Sequence, residues 1–296
     1  IIANEDIYTP DGTLRYSKDE IVDHIVTTGG NAESKPLYLG KYRIVETKAS
    51  YGMVLSKEIL YAELTYAGQE VELTSTAVAM YNHRQKATVS LEKILEKDEI
   101  FNIGLGGEIK SVSFGLFAAD KLTAADGSYI PKDGLLEKVF CEKNEKITFT
   151  ADIPVGAKLY VSELTTNEHY ILSSEKHLIQ FDYAEQTVTL VEIKVNNDTA
   201  IKNKLIYGTV KGYKVDEGGN PIKGAVFGLF KNDETDFTEK NALMLATSGE
   251  DGIFTFEKVA FGTWLVKEIK TATAQYVPND TVYKVEITED GAVIEY

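Results

Sequence analysis

Glu46, Glu163 and Glu268 hold the same phase in three separate strand-like segments. Glu46 follows Tyr42 and Ile44, Glu163 follows Leu159 and Val161, and Glu268 follows Trp264 and Val266. Side chains alternate between faces along a strand, so each carboxylate ends the apolar, inward face. Two lysines repeat the pattern: Lys93 follows Val89 and Leu91, and Lys214 follows Val210 and Gly212. An inward charge is costly unless it is paired, hydrogen-bonded or neutralised. One such residue alone reads best as a rim glutamate, or as a lysine whose stem reaches out to water. A carboxylate returning three times at one strand phase points instead to a buried polar site.

The elements that must position these residues are strands. Tyr42 to Thr47, Val71 to Val78, Thr88 to Ile94, Ile147 to Phe149, Thr187 to Ile193, Phe254 to Phe256 and Val282 to Ile287 are short and β-branched or aromatic, with a period of two. Turn signals separate them, among them Pro10-Asp11-Gly12, Gly218-Gly219-Asn220-Pro221 and Asp251-Gly252. Helical periodicity is weak, and short helices are expected only over Ser17 to Val26 and Glu234 to Leu245. The reading is all-β, a series of β-sandwiches.

Internal repeats divide the chain. Ser113-Phe114-Gly115-Leu116-Phe117 returns as Val226-Phe227-Gly228-Leu229-Phe230, and Pro10-Asp11-Gly12 aligns with Ala125-Asp126-Gly127. Leu39 to Glu46, Val155 to Glu163 and Phe261 to Glu268 form a third set. The units implied are residues 1–86, 87–206 and 207–296. The first aligns Ile1 with Leu116 and so lacks an opening strand. The junctions are short and free of Gly/Ser or Pro-rich linkers, so limited bending is expected.

Composition narrows the function. The 296 residues carry 31 Lys and Arg against 46 Asp and Glu, a net charge of −15. A nucleic-acid partner needs a basic surface and is not expected. Hydrophobic residues at 43% and charged residues at 26% suit a folded chain. The single cysteine, Cys141, excludes an internal disulfide framework. No apolar run approaches the roughly 18 residues of a spanning helix. The start at Ile1, with no basic-then-apolar leader, reads as that of a fragment. His24, His83, His169 and His177 are dispersed and read as surface residues, so no metal or other cofactor is expected. Phe101 to Gly107 reads as a strand-connecting loop, and Asp233, Glu234 and Asp236 as solvated loop charge.

Lys214, then Gly219 to Phe230, then Gly262 to Glu268 form a pattern that resembles the collagen-adhesin B-type and SpaA-type pilin domain family of Gram-positive surface proteins. The resemblance extends over the whole chain and is strongest in the third unit. It implies tandem prealbumin-like, or reverse immunoglobulin-like, β-sandwich domains. It also implies a self-formed isopeptide bond, in which a first-strand lysine attacks a last-strand asparagine with help from a buried acid. In the second unit these would be Lys93, Asn203 and Glu163. Asn196 and Asn197 compete with Asn203, but Asn82 lies 11 residues before Lys93 just as Asn203 lies 11 before Lys214. The chemistry fits burial, which disfavours charge and so favours a neutral amine nucleophile beside a neutral acid.

The outer sites are expected to be incomplete. Glu46 and Asn82 would need a lysine about 23 residues before Ile1, by the spacing of Lys93 from Leu116. Lys214 and Glu268 would need an asparagine near positions 304 to 308, by the spacing of Asn82 and Asn203 from their acids. The resemblance implies a non-enzymatic, extracellular, cell-wall stalk whose partners are its neighbouring domains. Two alternatives stay open: an adhesive module that binds a host matrix protein or glycan through Ala118 to Asn144 or Lys231 to Ser248, and the accessory binding domains of a secreted enzyme. The latter would need an exposed aromatic platform, and strand phase puts Trp264, the only tryptophan, inside.

Overall fold

A computed structural model describes residues 1–124, 126–142 and 145–296. Ala125 of the second Asp-Gly turn and Asn144 at the end of the long 118–144 segment lie outside them. By Cα proximity the chain divides into two compact units. One holds residues 1–87, 152–156 and 181–191, and the other holds residues 88–151, 157–180 and 192–296.

In the first unit a three-stranded sheet runs in the order β1 (Ile2–Ala3), β4 (Gly40–Val45), β5 (Ile59–Leu64), beside the hairpin of β2 (Ile7–Tyr8) and β3 (Leu14–Tyr16). Ala3, Ile7, Val22 and Tyr42 form its core. The strand expected over Val71 to Val78 is absent: the segment is irregular and largely exposed. Its counterpart in the next repeat, β14 (Leu190–Lys194), pairs with β6 (Lys86–Leu95). Residues 1–87 offer no equivalent of β6 for it to pair with, so alternation alone gives no strand.

The next sandwich faces two sheets across a core. One is built on β6, flanked by β11 (Lys146–Phe149) and β14, with β15 (Ile201–Asn203) parallel to the far end of β6. The other has the order β10 (Leu135–Phe140), β7 (Ser113–Ala118), β12 (Lys158–Thr165), β13 (Lys176–Gln180). The ribbon of β8 (Leu122–Thr123) and β9 (Tyr129–Ile130) stands apart. Val89 and Leu91 of β6, Phe114 and Leu116 of β7, Ile147 and Phe149 of β11, and Leu159 and Val161 of β12 are buried, as period two dictates. Ala118 pairs with Leu159 as Ala3 pairs with Tyr42, which is the register the repeat implies.

Residues 207–296 repeat the plan. β16 (Tyr207–Tyr213) lies between β19 (Ile253–Ala260) and the parallel β22 (Val293–Glu295). The second sheet has the order β18 (Met244–Thr247), β17 (Val226–Lys231), β20 (Gly262–Lys270), β21 (Tyr283–Ile287). Neither expected helix forms. Residues 17–26 are turns and irregular chain, and residues 234–243 are turns leading into β18. Glu234 Oε1 instead accepts the backbone N–H groups of Thr235 and Asp236. His177 is buried, because alternation along β13 turns it inward and Leu178 outward.

The repeated Phe-Gly-x-Phe has a packing cause. The ring of Phe117 folds over Gly115, and that of Phe230 over Gly228, where a Cβ would lie 2.5 Å from two ring carbons. Phe230 is fully buried and has no room to yield. Gly228→Ala should therefore lose about 1–3 kcal/mol of stability through overpacking. Urea unfolding of the two chains measures it.

Candidate functional site

The strand phases converge on one buried cluster in the second sandwich. β6 carries Lys93 inward beyond Val89 and Leu91. β12 carries Glu163 inward beyond Leu159 and Val161, opposite Phe114 of β7. β15 runs parallel to β6, with Ile201 facing Lys93 and Asn203 facing Leu95. Lys93 and Asn203 therefore share one face, two residues apart along the strand direction. Lys93 is 0% exposed, Asn203 2% and the Glu163 side chain 0%.

The three side chains satisfy one another. Lys93 Nζ donates to Asn203 Oδ1 and lies 3.1 Å from Glu163 Oε1. Asn203 Nδ2 donates to both Glu163 oxygens at 2.9 Å and to Thr166 Oγ1 at 3.0 Å. The Ser173 backbone N–H donates to Glu163 Oε2 at 2.9 Å. The Phe114 ring closes the site, with its centroid 5.6 Å from Lys93 Nζ. Burial pushes the lysine below its ordinary range, and the Glu163 charge opposes that push. Cys141 also lies in this core, and burial, with Glu145 beside it, raises its thiol to about 11. That leaves it protonated and unreactive at neutral pH.

The first and third repeats hold parts of the same cluster. Glu46 Oε2 accepts Asn82 Nδ2 at 2.6 Å and the Ser56 backbone N–H at 2.7 Å. Lys214 Nζ donates to Glu268 Oε2 at 2.9 Å, and the Asn279 backbone N–H donates to the same oxygen at 3.0 Å. Each glutamate thus takes one backbone N–H from the chain 10 or 11 residues on. Glu268 Oε1 is buried with no hydrogen-bond partner among the described residues. A cavity of about 90 Å³ opens beside Lys214, lined in part by Phe254, Asn279, Tyr283 and Tyr296.

In the third sandwich Glu295 of β22 faces Lys211 of β16, in the same parallel sense in which Ile201 of β15 faces Lys93 of β6.

Asn196 and Asn197 do not reach the site. They sit with left-handed φ of 56° and 52° in the turn that leads to β15. Thr166 and the N–H of Ser173 join the cluster without a motif to announce them. Trp264 lies only partly inside: its Nε1 donates to the Ala260 carbonyl, and its ring meets Phe101 edge-on at 4.7 Å. Among the described residues no group of three metal-ligating side chains occurs, and no helix is long and apolar enough to cross a membrane.

Residues 208–296 match the family described as the SpaA prealbumin-like fold domain. No curated protein matches the sequence. Among solved structures, the Bacillus anthracis TIE protein aligns with TM-score 0.65 and 17% identity, over 92% of this chain and 44% of that one. The similarity is one of fold, and the chain spans less than half of that protein. A streptococcal ancillary pilin aligns at 20% identity over 92% of this chain and 78% of its own, with TM-score 0.29. A C-terminal fragment of the pilus adhesin SpaC from Lactobacillus rhamnosus GG aligns at 11% identity over 69% and 82%, with TM-score 0.43.

Glu163→Ala should leave Lys93 buried without its carboxylate, so that burial alone depresses it. The folded chain then releases this proton at lower pH than the unfolded chain, whose lysine holds it to ~10.4. Relative to Lys93→Met/Glu163→Ala, the stability of Glu163→Ala should rise with pH between the depressed folded value and ~10.4. Urea midpoints of the two chains across that interval check it, and parallel pH profiles would contradict it.

Proposed function

We propose, from a SpaA prealbumin-like domain at residues 208–296 and the complete Lys93–Glu163–Asn203 cluster of the preceding sandwich, that this chain is a structural stalk segment of a Gram-positive cell-wall surface or pilus protein. Its one reaction is an internal Lys93–Asn203 amide bond, formed once per molecule, so it is not an enzyme. The observation that carries this reading is the lysine amine held against the asparagine carboxamide in a dry core, with one carboxylate touching both.

The step balances within the three residues. A proton passes from Lys93 Nζ to Glu163, which converts an ion pair into a neutral amine and a neutral acid. Nζ attacks Cγ of Asn203, the Nζ–Cγ bond forms, and Glu163 gives its proton to Nδ2. The Cγ–Nδ2 bond breaks and ammonia leaves. A second Nζ proton returns to Glu163, and the third stays on the new amide. The fold supplies proximity, since β6 and β15 already hold the Lys93 amine against the Asn203 carboxamide oxygen, one bond from Cγ.

A stalk also needs stiff joints, and several contacts at the connection into residues 207–296 support that reading. Tyr207 donates its hydroxyl proton to Asp98 Oδ2 at 2.8 Å, the Leu205 N–H donates to Glu96 Oε2 at 2.9 Å, and Phe261 meets His169 edge-on at 5.6 Å. With Phe101 against Trp264, these contacts clamp the connection from several sides. The loop from Phe101 thus serves as a buttress.

Intact mass tests the reading directly. The chain should weigh one ammonia molecule less than its sequence, while Lys93→Ala, Glu163→Ala and Asn203→Ala should carry full mass. The bond closes a loop of the size for which a disulfide contributes about 4–5 kcal/mol, so the three variants should also melt earlier. A full-mass parent chain refutes the bond. The same measurement tests the register of the third site: continued beyond Tyr296, the pairing of β22 with β16 would set position 298 beside Lys214 and position 300 at the place of Asn203, where spacing from the acid gave 304 to 308. Four residues added after Tyr296, the last an asparagine, should cost a second ammonia, whereas asparagine as the tenth added residue should not.

A further inference from the structure

Thr166 is placed where ordinary alternation would not put it. Two residues of β12 beyond Glu163, Thr165 would share the inward face, and Thr166 would face out. The pairing of β12 with β7 instead shifts between Glu163 and Thr165. Such a bulge re-aims the side chains that follow it. Thr165 is bound on the strand's other partners, with its Oγ1 2.7 Å from both Ser113 Oγ and the Ser111 carbonyl. Thr166 then turns toward Glu163 and accepts from Asn203 Nδ2 at 3.0 Å. The third sandwich repeats the shift between Val226 and Phe227, opposite Lys270 and Glu268, and carries Thr271 at the same offset from its glutamate. The first repeat has Ala49 there.

Resting on the crosslinking reading above, we propose that Thr166 is a positioning residue for the nitrogen that leaves. Asn203 Nδ2 has two protons. One is shared by the Glu163 oxygens and the other is held by Thr166 Oγ1. With both anchored, the carboxamide keeps its oxygen toward Lys93 and its nitrogen beside the acid. When Cγ becomes tetrahedral, the Nδ2 lone pair is no longer shared with the carbonyl and can take a proton. The Thr166 contact keeps that nitrogen from swinging out of reach of the Glu163 proton. Thr166 exchanges no proton and forms no bond in the step.

Timed cell-free synthesis of the full chain, quenched in denaturant and read by intact mass, tests this. Thr166→Val keeps the shape and removes the acceptor, and should slow ammonia loss about tenfold, the equivalent of one hydrogen bond. Thr166→Ser should restore the parental rate. In a Lys93→Met background, which has no crosslink, Thr166→Val should melt earlier than its parent, since a buried Asn203 N–H loses its acceptor, yet stay folded at the synthesis temperature, so the slowing is read on folded chain. Parental speed in Thr166→Val overturns the proposal. So does a slowed Thr166→Val that Thr166→Ser fails to rescue and that is unfolded at the synthesis temperature in the Lys93→Met background, because the residue would then be structural. A parent chain that never loses ammonia refutes the crosslink itself, and this role with it.

Discussion

The second sandwich depends on what is done with two charges in its core. Lys93 and Glu163 are both out of water, and a core of this kind gives back their lost hydration only through contacts of good geometry. The structure meets the requirement with the Asn203 carboxamide, two further hydrogen-bond partners and the face of Phe114. If one member is removed, the others become buried and unsatisfied, a penalty larger than the net worth of any one of their hydrogen bonds. The same constraint accounts for the partial clusters. Glu46 keeps its asparagine and Glu268 keeps its lysine, and each still takes a backbone N–H. Glu268 Oε1, buried with no hydrogen-bond partner among the described residues, bears that penalty.

The requirement explains the sheet arrangement. An acid on β12 can meet a lysine on β6 only across the sandwich, so the two sheets must face each other there. An asparagine can join them only from a strand beside β6, and the parallel pairing of β15 provides it. Parallel neighbours need a long connection. Here the connection is nearly the whole domain, so the site closes only when the last strand has docked. The site is thus built from contacts remote in sequence, and it reports complete folding.

Much of this was legible in the sequence because strands have an exact period. Lys93, Glu163 and Glu268 betray themselves as charges in apolar phase, and their recurrence separates them from rim residues. Asn203 was reached by its distance from the following lysine, which holds because both flank the same junction. What period two does not encode is the irregular part. The bulge after Glu163 reverses the facing of Thr166, and no residue type announces it. Alternation over Val71 to Val78 looks like a strand, but a strand exists only where another offers its hydrogen bonds. His177 is polar by type and inward by phase, and phase decided its place.

The location of the cluster bears on mechanics. The chain enters the second sandwich through β6 and leaves it through β15, two parallel neighbours whose ends point opposite ways. Pulling on the two termini therefore shears one strand past the other, and it does so along the pair that holds the domain shut. The backbone between Lys93 and Asn203 is 110 residues long. With an amide joining those side chains, tension passes from β6 to β15 through the crosslink, and the intervening chain carries none of it. Loss of β-sheet hydrogen bonds then no longer lengthens the molecule. A disulfide at the same place would do this only while its surroundings stayed oxidising, whereas an amide has no such dependence. A chain with a single buried thiol can in this way be reinforced between the two strands where a pulling force would act first.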